Sequence, residues 1–147
     1  GSSGSWEEGR RVVRRFLIDS MRIDSTQIAI EDASGLAANN LVSPRAFTTL
    51  LGYMRRHPRY ELFARTLPQS GAPGSLRRRF VGTPLEGRVR AKTGSISRVN
   101  ALSGYVERSD GQVLIFSIQA NHHTLGSTRM IAAIDSIVVE LGKPSGK

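Results

Sequence analysis

The sequence predicts an α+β fold, an antiparallel sheet with flanking helices. Three observations predict it. Helical spacing of apolar residues dominates the first half of the chain. In the second half two strand-like runs are separated by Asp110-Gly111, a strong hairpin turn signal. A wide apolar stripe at helical spacing then closes the chain. Strands joined by short turns pair antiparallel, and the helices before and after them must bury their stripes against that sheet.

Composition fits this class. The chain has 147 residues, 39% of them hydrophobic and 22% charged, which suits one soluble globular domain or a large piece of one. No apolar run approaches the roughly 20 residues of a membrane-spanning helix. There is no cysteine, so disulfides, cysteine nucleophiles and thiolate metal sites are excluded. Net charge is +9, and of the 21 basic residues only Lys92, Lys143 and Lys147 are lysine. Such a balance allows an acidic partner. The arginines are scattered, however, which fits a solvated basic surface better than a nucleic-acid face.

The elements follow in order. The polar Gly1-Ser2-Ser3-Gly4-Ser5 reads as a tag remnant or linker rather than a leader, although Ser5-Trp6-Glu7-Glu8 also fits a capping box. Val12, Val13, Phe16, Leu17 and Met21 then mark a first helix, and Gln27 to Ile30 a short strand. Ser43-Pro44 opens a second helix, with serine as cap and proline at the first helical position. Its stripe is Phe47, Leu50, Leu51 and Met54. Arg55, Arg56 and His57 suit its negative end, and Pro58 stops it. Tyr60 to Leu67 is a short helix and Ser75 to Phe80 another turn or two. Strands are expected at Gly87 to Lys92, Ala101 to Arg108 and Gln112 to Ala120. The last helix runs from about Ser127 to Leu141, with Met130, Ile131, Ile134, Ile137, Val138 and Leu141 as its stripe, and the tail from Gly142 to Lys147 is expected to fray. Trp6 and Tyr53 read as core or rim anchors.

The chemistry centres on Lys92-Thr93-Gly94, expected at a strand end. Lysine supplies a fixed positive charge, and a threonine hydroxyl can hydrogen-bond a carboxylate. Glycine leaves the strand edge bare, so a peptide can lie against it as an added strand. The N–H of Ser95 is then placed to meet a developing oxyanion. The set suits a peptide ending in a carboxylate. Alone, the tripeptide arises by chance in roughly one chain in fifty of this length, and it equally fits a strand turning through glycine.

Its context is more specific. Asp32-Ala33-Ser34-Gly35-Leu36 with Asn40 and Val42-Ser43-Pro44 comes first. Leu67-Pro68, Gly71, Gly74-Ser75-Leu76 and Arg79 follow. Then come Ala91-Lys92-Thr93-Gly94-Ser95 and Leu102-Ser103-Gly104-Tyr105-Val106. In this order, from about Trp6 to Asn121, the chain resembles the C-terminal portion of the penicillin-binding protein 4 type of D-alanyl-D-alanine carboxypeptidase and endopeptidase, the class C low-molecular-mass penicillin-binding proteins. Ala33 and Ala37 depart from the family's usual glycine and serine, at positions that carry no chemistry.

The resemblance implies the C-terminal part of a penicillin-recognising serine-enzyme fold, of the β-lactamase and transpeptidase kind. It implies hydrolysis of peptidoglycan stem peptides through an acyl-enzyme on serine, with β-lactams acylating the same serine and no cofactor. The expected compartment is periplasmic or otherwise extracytoplasmic. Lys92, Thr93 and Gly94 would be the catalytic motif, with Lys92 and Thr93 holding the substrate carboxylate. Ser95 would give an oxyanion-hole N–H and pair with the substrate backbone, and Ser97, on the same face, would add a contact. The family's Ser-x-x-Lys nucleophile motif is absent, since Val89, Glu140 and Pro144 stand three places before the lysines. Its Ser-x-Asn motif is absent too. Residues 6–147 therefore read as a C-terminal part whose nucleophile-bearing portion lies upstream. The isolated chain is expected to be inactive, to expose apolar surface and to bind that missing N-terminal part.

Other candidates read as structural. Ser34-Gly35 is a turn. His122-His123 has no third ligand at metal spacing, so no metal is expected. Two rival readings remain at this level. One is a non-catalytic module that binds peptidoglycan peptides. The weaker is a basic nucleic-acid-binding domain, disfavoured because Phe16, Phe47 and Phe116 fall on apolar stripes or runs.

Overall fold

A computed structural model describes residues 4–144. The helix α1 spans Trp6–Arg15, β1 Ile28–Ala29, β2 Leu41–Val42, α2 Pro44–Arg56, α3 Tyr60–Thr66, β3 Val89–Ile96, β4 Val99–Glu107, β5 Val113–Asn121 and α4 Ser127–Leu141. The fold is α+β with antiparallel sheets. The chain forms two compact units that divide between Tyr53 and Met54.

In the first unit Ser5 caps α1, its hydroxyl accepting the Glu8 N–H at 3.2 Å. Ser5 is thus part of the folded chain, while residues 1–3 of the expected tag or linker lie outside the described residues. A π-helical turn, Phe16–Ser20, continues α1, and a 3-10 turn, Ser25–Gln27, leads into β1. β1 pairs antiparallel with β2, Ile28 opposite Val42. Ser43 caps α2 as expected, accepting the Ala46 N–H at 3.0 Å and donating to Gln27 Oε1 at 3.0 Å. Met21, Ile23, Ile28 and Ala46 form a small core with Leu17, Leu50 and Tyr53 against it. The rest of the first helix's stripe is not buried. Val12, Val13 and Phe16 are exposed, and Trp6, expected as an anchor, is 81% exposed.

In the second unit β3, β4 and β5 form one antiparallel sheet in that order. Asp110-Gly111 makes the β4–β5 turn as expected, Gly111 at φ 82° and the Asp110 carboxylate accepting the Gln112 N–H. One face carries Val89, Ala91, Leu102, Val106 and Phe116, and α4 packs on it through Ile134 and Val138. Strand alternation turns every second residue to that face. Ile137 on α4 stays 50% exposed, so the predicted stripe is wider than the face the sheet covers. On the other face Tyr60 of α3 meets Tyr105 edge to face, ring centroids 5.4 Å apart, with the Arg55 guanidinium 4.4 Å over Tyr60. Burial raises the Tyr105 hydroxyl to about 12, with the neighbouring Tyr60 adding to the shift.

Two expectations need correction. Ser75 to Phe80 is not helical. It is a chain of turns, with Arg77 N–H on Gly74 O and Arg79 N–H on Leu76 O, and its Arg79 fork is held by Asp135 of α4 at 2.5–3.2 Å. Leu76 and Phe80 are buried there, so tertiary anchoring rather than helix propensity shapes the segment. The tail beyond Gly142 is described only to Pro144. Gly142 itself is buried, and a Cβ on it would stand 2.4 Å from Leu85. The frayed end expected for Ser145 to Lys147 lies outside the described residues.

Candidate active site

β3 is the edge strand of its sheet, and among the described residues its outer edge is covered along only half its length. The Ser70 N–H donates to Val89 O, the Ala91 N–H donates to Pro68 O, and Gln69 bridges Arg90. These bonds define which residues turn their backbone groups outward. Val89 and Ala91 do, and in an antiparallel ladder the pattern repeats every second residue. Thr93 and Ser95 therefore also aim N–H and C=O away from β4, beyond the point where the Pro68–Ser70 segment ends.

The Lys-Thr-Gly tripeptide thus sits within a strand, not at its end as the sequence suggested. Lys92 pairs with Ser103, Thr93 with Leu102, Gly94 with Ala101 and Ser95 with Asn100. The β4 strand begins two residues before the predicted start, and β3 runs on to meet it, so pairing extends to Ile96 opposite Val99. Ser97 falls in the two-residue turn with Arg98, whose φ is 56°. Ser97 is consequently not a strand residue on the face of Ser95, as expected, but lies at the hairpin tip.

Lys92 is exposed and its Nζ donates to the Thr93 carbonyl at 2.7 Å. That carbonyl points to the open edge, so the ammonium lies along the edge too. Gly94 adds no side chain there. A Cβ at this position would meet nothing closer than Ala101 Cβ at 3.4 Å, and the φ of Gly94 is not positive. The fold itself therefore tolerates a side chain at Gly94. Lys92, Thr93, Gly94 and Ser95 form one short stretch of edge with a cation, a hydroxyl, a bare backbone and outward N–H groups. An extended peptide with a terminal carboxylate is the chemistry this stretch suits.

Behind it lies a network that the sequence reading missed. Asn100, 1% exposed, faces Ser95 across the hairpin. Its Nδ2 donates to Ser95 Oγ at 2.9 Å and to Ser127 Oγ at 2.8 Å. Its Oδ1 accepts from Ser127 Oγ at 3.1 Å and lies 2.9 Å from His123 Nε2. The other ring nitrogen of His123 is 2.9 Å from Leu125 O. A signal existed: Asn100 is polar at an inward position of an otherwise apolar alternation, Leu102, Gly104 and Val106. Its partners came from β3, α4 and the loop after β5, which no spacing connects. His123 is thus engaged with Asn100, and among the described residues no three His, Asp or Glu side chains gather to hold a metal.

In the first unit Ser34 is a turn residue. Its hydroxyl donates to the Asp32 carboxylate at 3.0 Å and accepts the Leu36 N–H at 3.0 Å. Asn40 closes the loop with bonds to Glu31 N–H and Asp32. These bonds, the Ser34 hydroxyl first, hold the Asp32 carboxyl below its ordinary range.

Comparison with known proteins agrees with this architecture. The chain matches the D-Ala-D-Ala carboxypeptidase 3 (S13) family over residues 1–141 and belongs to it. It is 36% identical to a D-alanyl-D-alanine carboxypeptidase of Actinomadura sp. (strain R39), over 98% of this chain and 27% of that protein. It is 33% identical to a penicillin-sensitive carboxypeptidase A of Dictyostelium discoideum, over 87% of this chain and 26% of that protein. The crystal structure of penicillin binding protein 4 from Haemophilus influenzae superposes with a TM-score of 0.84 at 25% identity, over 95% of this chain and 33% of that one. The chain spans about a quarter of the length of the curated relatives it matches. No described helix is long and apolar enough to cross a membrane.

Proposed function

We propose that residues 6–147 are the C-terminal part of a serine D-Ala-D-Ala carboxypeptidase or endopeptidase that acts on peptidoglycan stem peptides outside the cytoplasm. The observation that carries this reading is the half-covered edge of β3, open from Lys92 onward, in a chain of the S13 family.

The substrate strand pairs with the outward N–H and C=O groups of Thr93 and Ser95. Lys92 and the Thr93 hydroxyl take its terminal carboxylate, a charge-assisted contact stronger than a neutral one. Gly94 lets the two backbones approach. As the scissile carbonyl gains negative charge, the Ser95 N–H donates to it, where fixed dipoles stabilise the transition state most. Ser97 and Arg98, at the hairpin tip, are further contacts for the peptide. The nucleophile is a serine activated by a lysine in the part of the protein upstream. Its hydroxyl adds to the carbonyl, the lysine takes the proton, and the leaving D-Ala amine receives it. Water then releases the acyl group.

Two features support the division of labour. The chain holds no Ser-x-x-Lys, and the curated relatives extend well beyond the stretch it matches. Each unit also leaves large apolar side chains in solvent, Trp6 and Phe16 in the first and Ile137 in the second, which suits a surface completed by the rest of the enzyme.

Labelling with a fluorescent penicillin tests this. The chain alone should take no label. The chain joined to the coding region immediately upstream should take it, at a serine of the upstream part. Label on a serine of residues 4–144 would overturn the proposal, and absence of label in both forms would favour the non-catalytic peptide-binding module.

A further inference from the structure

The His123–Asn100 contact carries a constraint that fixes more than packing. Leu125 O can only accept, so His123 Nδ1 must carry a proton to bond it. His123 Nε2 then faces one end of the Asn100 amide. With Oδ1 toward the ring, as the structure has it, Nε2 must carry a proton as well, and the imidazole is cationic. With the amide turned over, Nδ2 donates to a bare Nε2, and the imidazole is neutral. Both arrangements satisfy every group, but they differ at the other end of the amide. In the first, Nδ2 donates to Ser95 Oγ and Ser127 Oγ, leaving the Ser95 proton free. In the second, Oδ1 accepts from both hydroxyls, and Ser95 turns only lone pairs outward.

We propose that His123 is a positioning residue that acts through the buried Asn100 to decide whether the Ser95 hydroxyl is offered to the substrate as a donor or as an acceptor. The inference rests on the proposed substrate-binding role of Ser95. With His123 protonated, Ser95 adds an O–H donor beside Lys92 and Thr93, which favours a carboxylate. With His123 neutral, that donor is withdrawn. The geometry is specific to this end of the sheet. Asn100 reaches Ser95 because the two are a directly opposed pair whose backbone bonds face elsewhere, the closer kind of antiparallel pair. Ser127, the first residue of α4, closes the ring of hydroxyls, its Oγ 3.5 Å from Ser95 Oγ. At this end of the sheet the charged and titratable residues are Lys92 on β3, Arg98 in the hairpin turn, His122 next to His123 in the chain and Arg129 in the first turn of α4, while Arg90, Tyr105, Glu107, Asp135 and Glu140 lie further along the same elements. Among the described residues none of the hydrogen bonds or ion pairs of His123 is to a carboxylate.

The test uses the full-length protein and a synthetic acyl-D-Ala-D-Ala peptide. In the unaltered protein, KM should fall about tenfold as the pH is lowered across the range in which imidazoles ordinarily take up a proton. In His123→Gln that dependence should vanish, with KM fixed near the high-pH value and kcat within about twofold. In a Ser95→Ala background the same change should have no further effect, because the side chain through which His123 acts is gone. Nitrogen-15 spectra of the unaltered protein give a second readout that needs no variant to fold: neutral His123 should carry its proton on Nδ1. A neutral Nε2–H form, or an unchanged KM profile in His123→Gln, overturns the inference. Lys92→Ala separates the two levels. If it retains full activity, the proposed site is wrong. If it is inactive while His123→Gln behaves as unaltered, only the His123 inference fails.

Discussion

Gly104 lies directly opposite Ala91 in the β3–β4 pairing, so close that a Cβ on Gly104 would stand 2.6 Å from Ala91 Cβ and 2.2 Å from Arg90 O. Both obstacles are backbone or short and rigid, so nothing can give without moving β3. Gly94, one strand away, meets no such wall. The two glycines therefore separate fold from function. Gly104→Ala should destabilise the second unit by about 2 kcal/mol or more, as overpacking of a dense core does. Gly94→Ala should leave the melting temperature within a degree or two and raise KM for an acyl-D-Ala-D-Ala peptide about tenfold or more. Thermal melts and steady-state kinetics on the full-length protein check both.

Much of this was legible in the sequence, for local reasons. Ser43-Pro44 and Asp110-Gly111 determine their own backbone, and the structure has a capped helix start and a hairpin turn there. The Ser127–Leu141 helix announces itself by its stripe. What the sequence did not reveal depends on partners far away in the chain. Ser75 to Phe80 looks helical by pattern, but Arg79 is taken by Asp135 and its apolar residues are held in the core. β3 runs past Gly94 because β4 is there to pair with it. Of the proposed site, Lys92 to Ser95 stand out in the sequence as a contiguous motif, while Asn100, Ser127 and His123 do not, since only tertiary structure brings them to one amide.

The Arg79–Asp135 pair ties the 75–80 segment to α4 by two parallel bonds, with both side chains largely sheltered. Removing one partner strands the other. Asp135→Ala should cost about 2 kcal/mol in urea unfolding. Arg79→Lys, with Asp135 intact, should lose a smaller part of the same stability, because an ammonium keeps the charge but cannot reproduce the fork.

Asp32 makes the first unit's loop acid-sensitive. Its folded carboxyl titrates below the ordinary value, so its contribution is present above the unfolded carboxylate's titration and is lost as pH falls through the folded one. Protection of the Ser34 and Leu36 amides against hydrogen exchange should drop in that acid window. In Asp32→Asn the drop should be absent and protection weaker throughout.

Tyr105 gives the opposite limb. Its folded value is raised to about 12, so the unfolded chain releases the proton first. Stability of the second unit should be full below pH about 10 and decline between there and 12. Tyr105→Phe should remove that decline, read as the difference in melting temperature across the alkaline range.

The most direct measurement compares kcat/KM for an acyl-D-Ala-D-Ala peptide with that for its C-terminal amide, in the full-length protein and in Lys92→Ala. The open edge of β3 should favour the carboxylate by roughly 100-fold, about 2.7 kcal/mol of charge-assisted binding, and Lys92→Ala should erase most of that preference. An unaltered preference in Lys92→Ala would contradict the assignment of this strand as the carboxylate site.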